Sequence, residues 1–122
     1  MRRLIAGAVL VAAVLALTTA CGDDEAAPTN TTSPAKPFEI NFLGETVTPS
    51  GAEETIEQGT DIELVIEADK PGELHVHSSP EQQLEYDAGT TTIPVALSNQ
   101  PPGVIDIESH DLDVVVIRLT IR

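Results

Sequence analysis

Two of the three histidines in this 122-residue chain lie two residues apart, in the segment Leu74-His75-Val76-His77. If the segment is a strand, His75 and His77 project from one face and Leu74 and Val76 from the other, with the imidazoles roughly 7 Å apart at the backbone. Two imidazoles at this spacing can share one metal ion. Three imidazoles with a water or a carboxylate suit Cu²⁺ or Zn²⁺. The alternative is that both histidines are solvated residues of an exposed face.

The third histidine, His110, lies among acidic residues. Asp106, Glu108, Asp111 and Asp113 surround it and offer the oxygen ligands that calcium prefers. The segment lacks the glycine and the terminal glutamate of an EF-hand loop, so a solvated acidic edge is the stronger interpretation.

The sequence offers little for catalysis. A pair of carboxylates can hydrolyse a glycoside, but three aromatic residues in the whole chain are few for a sugar cleft. We find no Ser-His-Asp order, no phosphate-binding glycine loop and no nucleophilic cysteine. The sequence therefore predicts a protein that is not an enzyme.

Alternating apolar residues predict the strands that must position these side chains. The alternation runs through residues 38–42, 62–66, 74–77, 93–97, 105–107 and 115–121, and turn sequences separate the runs. About seven strands at this spacing predict an all-β fold, a small antiparallel Greek-key β-sandwich. Pro94 places its strand at an edge or a bulge. The 24 Ile, Val and Leu residues of 38–122 are enough for one small core.

The N-terminal residues indicate export. Arg2 and Arg3 precede an apolar run over residues 4–17, and the run leads into Leu17-Thr18-Thr19-Ala20-Cys21. This order resembles the signal peptide of bacterial lipoproteins, with Thr18 where an aliphatic residue is usual. The resemblance implies that Cys21 carries acyl chains such as palmitate, which anchor the protein on the extracytoplasmic face of the cell membrane. A retained transmembrane helix is the weaker alternative, because 14 residues span about 21 Å and the hydrocarbon core is about 30 Å thick.

Composition divides the chain into three parts. Residues 1–20 are the predicted signal peptide. Residues 21–37, rich in Pro and Thr after Cys21, are predicted to be a disordered tether, because they lack the apolar side chains that a core needs. Residues 38–122 form the predicted domain.

The charge of the exported chain limits its partners. Without residues 1–20 it holds four Lys and Arg against twenty Asp and Glu, a formal charge of −16. Nucleic acid is excluded as a partner on this ground, since phosphate binding needs clustered bases. The acidic surface favours solubility, and it would also suit a basic protein partner in the cell envelope. The oligomeric state stays open.

Three segments, 56–64, 72–77 and 102–110, resemble successive strands of cupredoxin-like domains, including short ones found in bacterial, often actinobacterial, lipoproteins. An immunoglobulin-like or other small sandwich is the alternative. In copper-binding cupredoxins the first ligand histidine lies in the strand that corresponds to His75, and a Pro-Gly pair begins the strand that ends in the ligand cysteine. Counted from Pro102, Ser109 stands at that thiolate position. Residues 112–115 occupy the place of the second histidine and the methionine.

This departure from the family pattern disfavours type 1 copper, because a serine hydroxyl cannot replace the soft sulfur ligand. The resemblance still implies that the two strands meet at the metal end of the sandwich, which makes His110 the natural third ligand beside His75 and His77. The sequence therefore predicts a membrane-anchored domain that is a candidate for holding non-blue copper, for storage, sensing or transfer. The alternative is an acidic interaction module of the envelope with no metal.

Overall fold

The computed structural model describes residues 37–122, which form nine β-strands and contain no helix. The strands are β1 Phe38–Leu43, β2 Thr46–Thr48, β3 Ala52–Ile56, β4 Ile62–Ala68, β5 Gly72–Val76, β6 Gln82–Tyr86, β7 Gly89–Val95, β8 Gly103–Ser109 and β9 Val114–Ile121. The predicted signal peptide, Cys21 and all of the predicted tether except Pro37 lie outside the described residues. Residues 37–122 include no helix long and apolar enough to cross a membrane.

The strands form two sheets, and this arrangement confirms the predicted all-β sandwich. The four-stranded sheet has the order β2-β1-β4-β7, and the five-stranded sheet has the order β3-β9-β8-β5-β6. There are nine strands rather than about seven, and the pairings β1 with β4 and β3 with β9 are parallel. The additional strands are short and show little alternation: in β3 only Ile56 is buried. Backbone pairing to a neighbour, rather than burial of side chains, defines such strands.

The core lies between the sheets and consists of the inward residues of each strand. In β4 these are Ile62, Leu64 and Ile66, each at most 3% exposed. Phe42 of β1 stacks on Tyr86 of β6 with ring centroids 5.0 Å apart, which joins the two sheets by an aromatic contact. Because strand residues alternate between faces, the outward residues of every strand are left for solvent and for chemistry.

The sheets have two irregular features, and the sequence predicted only the first of them. Pro94 lies in β7, one of the two edge strands of the four-stranded sheet, as predicted. A register shift between β8 and β9 occurs at Ile107 and Glu108, and there the consecutive residues Val116 and Ile117 are both buried. Such a bulge breaks the simple alternation of a strand and increases its twist.

Candidate metal centre

The strands that carry the histidines are direct neighbours. β5 pairs antiparallel with β8, and His75 is the cross-strand partner of Glu108. The backbone N–H of His77, just beyond the end of β5, donates to the carbonyl oxygen of Asp106 at 2.9 Å. Leu74 and Val76 are fully buried, whereas the side chain of His75 is 14% exposed and that of His77 is 38% exposed. The predicted common face of the two histidines is therefore the outer face of the five-stranded sheet.

His110 joins them from the neighbouring strand. It is the first residue after β8, and alternation places it on the same outer face as Glu108. Nε2 of His110 lies 3.2 Å from Nδ1 of His75, and one ring nitrogen from each of the three histidines lies within 4.8 Å of the others. The ring centroids of His75 are 4.9 Å from those of both His77 and His110. The structure thus brings together the three histidines that the sequence predicted as metal ligands.

Two glutamates border this histidine cluster, which we define as His75, His77 and His110. Oε2 of Glu108 lies 2.9 Å from Nε2 of His77 and 3.7 Å from Nε2 of His110. Glu81, in the turn before β6, places Oε2 3.3 Å from Nε2 of His75 and Oε1 3.6 Å from Nδ1 of His77. The hydrogen bond to Glu108 is the main cause of a raised pKa at His77, and the charges of Glu108 and Glu81 act in the same direction.

The spacing of one pair of ring nitrogens, those of His75 and His110, matches a metal site. With metal–nitrogen bonds of about 2.0 Å, two ligands of a tetrahedral ion lie about 3.3 Å apart. The separation of 3.2 Å between His75 and His110 is close to this value. The side chain of His110 is 62% exposed, so a bound ion would lie at the surface, within reach of solvent. The arrangement can hold a divalent ion that exchanges with its surroundings.

A network of amide side chains fixes the turn between β5 and β6, which carries His77 and Glu81. The side chain of Gln100 pairs with the backbone of Ser79: Ser79 N–H donates to Oε1 at 2.9 Å, and Nε2 donates to the Ser79 carbonyl at 2.8 Å. Gln100 is only 7% exposed. Nε2 of Gln82 donates to Oγ of Ser78 at 2.9 Å. Because both ends of the turn are tied down, the site is preorganised.

Ser109, which the family resemblance places at the thiolate position, lies on the other side of the sheet. It is 1% exposed and follows the inward residues Ile105 and Ile107 in the alternation of β8. Its Oγ is buried with no hydrogen-bond partner in the described chain. Residues 37–122 contain neither Cys nor Met. A type 1 copper ion therefore does not fit, because the inward position offers a hydroxyl and the histidine cluster faces outward.

The acidic residues around His110 do not converge on a calcium site. Asp106 is paired with Arg118, its cross-strand partner in β9, through hydrogen bonds of 2.8 and 2.9 Å. This bidentate pair lowers the pKa of Asp106 and occupies its carboxylate. Asp111 and Asp113 are exposed residues of the β8–β9 turn and are not part of the converging group. Of the four acids, only Glu108 places its carboxylate within 4 Å of the imidazole nitrogens.

No protein-family model matches this sequence, and the comparison with curated proteins finds no match either. Among solved structures, the chain is similar to a novel purple cupredoxin from Nitrosopumilus maritimus, at 14% identity and a TM-score of 0.46, over 70% of this chain and 99% of that chain. It is also similar to a chain of a heme-copper terminal oxidase dimer, at 13% identity and a TM-score of 0.43, over 71% of this chain and 65% of that chain.

Proposed function

We propose that this protein is a non-catalytic, lipid-anchored extracytoplasmic protein whose cupredoxin-like domain binds Cu²⁺ through His75, His77 and His110, for storage, sensing or transfer. The observation that carries the metal-binding part is the approach of three ring nitrogens to within 4.8 Å of one another. Protonation of any one of these imidazoles would repel protonation of the others, whereas one bound ion could be shared by all three.

The donor set favours copper among the available divalent ions. Imidazole nitrogens suit copper, zinc and nickel, and for a given set of nitrogen ligands the affinity peaks at Cu²⁺. The described domain contributes no thiolate or thioether, the ligands that select Cu⁺. Zn²⁺ is the second candidate, because three imidazoles and a fourth ligand also satisfy its tetrahedral preference.

The pairing of β5 with β8 supports the cupredoxin-like part of the proposal. The resemblance placed the His-x-His strand beside the strand that begins after Pro102, and these two strands are hydrogen-bonded neighbours. The metal site proposed here differs from the family's copper site in its place, because its ligands lie on the outer face of the sheet.

Titration of the purified protein with Cu²⁺ tests the proposal. We expect saturable binding of one ion at micromolar concentration, and a loss of most of that affinity in His75→Ala. The full chain should carry Cys21→Ala in both proteins, so that a free thiol does not contribute binding. Absence of saturable binding, or equal binding by His75→Ala, would reject the metal-binding function.

Membrane anchoring is a separate part of the proposal, and it rests on the sequence from Arg2 to Cys21. Mass spectrometry of the protein from its native host should find acyl chains on Cys21. The Cys21→Ala variant should leave the membrane fraction. An unmodified Cys21 in protein isolated from membranes would contradict the anchor.

A second candidate function is binding of a basic partner protein. The outer face of the four-stranded sheet favours it, because Glu39, Glu63 and Glu67 lie there on the neighbouring strands β1 and β4. Capture of an envelope partner that weakens steeply with rising salt, with or without copper, would support this function. Capture that needs copper would support the metal-binding function instead.

A further inference from the structure

Each neutral imidazole has one nitrogen with a free lone pair and one that carries a proton. Only the first can bind a metal, so the group that accepts the proton on the second nitrogen decides which nitrogen becomes the ligand. Metal-binding histidines in proteins usually donate this second N–H to a carboxylate or a carbonyl, which fixes the tautomer and the orientation of the ring.

The two nitrogens of His75 face different neighbours. Nδ1 lies 3.2 Å from Nε2 of His110, and Nε2 lies 3.3 Å from Oε2 of Glu81. His77 differs: its Nε2 hydrogen-bonds with Oε2 of Glu108 at 2.9 Å, and its Nδ1 lies 3.6 Å from Oε1 of Glu81, beyond hydrogen-bond distance. Glu81 is therefore the carboxylate that faces the second nitrogen of His75.

We infer that Glu81 is a positioning residue that holds His75 with Nδ1 directed at the metal, and that Glu108 supplies the fourth ligand through Oε2. This inference rests on the proposed metal-binding function. The metal ligands are then Nδ1 of His75, Nε2 of His77, Nε2 of His110 and Oε2 of Glu108.

The contacts of Glu108 explain why it is assigned as a ligand and Glu81 as a positioning residue. Oε2 of Glu108 contacts Nε2 of His77 and Nε2 of His110, the nitrogens on the metal side of both rings. Its side chain is 30% exposed and extends from a paired strand, whereas that of Glu81 is 59% exposed and extends from a turn. A carboxylate beside the converging nitrogens becomes a ligand when an ion enters, because an anionic oxygen completes a four-coordinate set of nitrogen and oxygen ligands that suits Cu²⁺.

The test compares Glu81→Ala and Glu108→Gln with Glu63→Ala. Glu63 is an exposed carboxylate on the other sheet, so its variant controls for the loss of one charge. All variants are made in the full chain with Cys21→Ala. Cu²⁺ affinity is measured by titration, the ligand set by electron paramagnetic resonance of bound Cu²⁺, and the tautomer of His75 in the metal-free protein by ¹⁵N NMR at about pH 8, above the ordinary imidazole range.

We expect Glu81→Ala to weaken Cu²⁺ binding about 10- to 100-fold, the usual effect of removing an outer-shell partner, with the resonance spectrum unchanged. In the same variant His75 should change from the Nε2–H tautomer to a mixture. Glu108→Gln should weaken binding and also shift the spectrum, because a neutral ligand replaces an anionic oxygen. Glu63→Ala should differ from the parent protein by less than about twofold.

The possible outcomes separate the inference from the proposed function. If the parent protein does not bind Cu²⁺, the proposed function fails, and an unchanged His75 tautomer in Glu81→Ala would independently remove the role of Glu81. If the parent binds Cu²⁺ but both glutamate variants behave like Glu63→Ala, the inference fails and the metal-binding function stands. A shifted spectrum in Glu81→Ala would overturn the division of roles, since Glu81 would then be a ligand itself.

Discussion

Nδ1 of His75 and Nε2 of His110 lie 3.2 Å apart, although the two residues are separated by 35 positions in the chain. The pairing of β5 with β8 creates this proximity, because it makes His75 the cross-strand neighbour of Glu108 and leaves His110 one alternation further along the same face. Two ligand atoms that bind one tetrahedral metal ion through bonds of about 2.0 Å lie about this far apart.

The proximity predicts that His110→Ala weakens Cu²⁺ binding by more than about 100-fold, because even outer-shell partners account for about 10- to 100-fold. The side chain is 62% exposed, so stability should change by less than about 0.5 kcal/mol. Isothermal titration with Cu²⁺ and urea unfolding measure the two effects. Gln83→Ala, on the same outer face, is the matched control. Equal affinities of His110→Ala and Gln83→Ala would show that His110 is not a ligand.

The hydrogen bonds of Gln100 predict that the stability of the fold and the Cu²⁺ affinity of the site depend on the same turn. In Gln100→Ala the backbone N–H and carbonyl of Ser79 lose their partners, and each such part-buried group costs about 1–3 kcal/mol. We expect a lower urea midpoint. We also expect weaker Cu²⁺ binding, because the turn that carries His77 and Glu81 is no longer held in place. A destabilised variant with unchanged Cu²⁺ affinity would show that the turn does not preorganise the site.

Gly72 predicts a steric effect at the start of β5. A Cβ added there would lie 2.7 Å from Cζ of Tyr86, whose ring stacks on Phe42 and cannot move freely. Gly72→Ala should therefore destabilise the fold by about 1–3 kcal/mol, as overpacking does. Gly103→Ala is the control, because a Cβ at Gly103 meets no atom within 4 Å. Thermal unfolding compares the two, and similar melting temperatures would contradict the prediction.

Asp61 predicts a pH dependence of stability. Its Oδ1 accepts hydrogen bonds from the backbone N–H groups of Ser98 at 2.7 Å and Leu97 at 2.8 Å. These bonds, that of Ser98 most strongly, lower the pKa of Asp61. Because the folded-state pKa lies below the unfolded value of about 3.9, ionised Asp61 stabilises the fold above that pH. The contribution disappears as the pH falls through the folded-state pKa.

The corresponding test replaces Asp61 by Asn, which keeps the acceptor oxygen and removes the charge. At about pH 7 Asp61→Asn should be less stable than the parent by up to about 1 kcal/mol, and the difference should shrink towards about pH 2. Urea unfolding across this range measures it. Glu63→Gln removes a charge from an exposed position nearby and serves as the control. A difference that stays constant with pH would exclude ionisation of Asp61 as the cause.

Much of the fold followed from the sequence because the alternation of apolar residues is a local property of each strand. It placed Leu74 and Val76 in the core, put His75 and His77 on one outer face, and located Pro94 in an edge strand. The strands β2 and β3 were not predicted because few of their side chains are buried, and β6 was not predicted because only two apolar residues, Leu84 and Tyr86, carry its alternation. The parallel pairings β1 with β4 and β3 with β9 join segments that are distant in sequence, and no local pattern specifies such a pairing.

For the candidate site, too, some features followed from the sequence and others required the tertiary structure. The sequence by itself determined the ligand types: three histidines, and neither cysteine nor methionine in residues 38–122. Alternation along β8 further implies that Ser109 and His110 face opposite sides of the sheet. Only the tertiary structure decided which carboxylates join the histidines. Glu81 reaches them because the turn after His77 folds back over β5, and Asp106 is excluded because Arg118 on β9 pairs with it; both depend on contacts between strands.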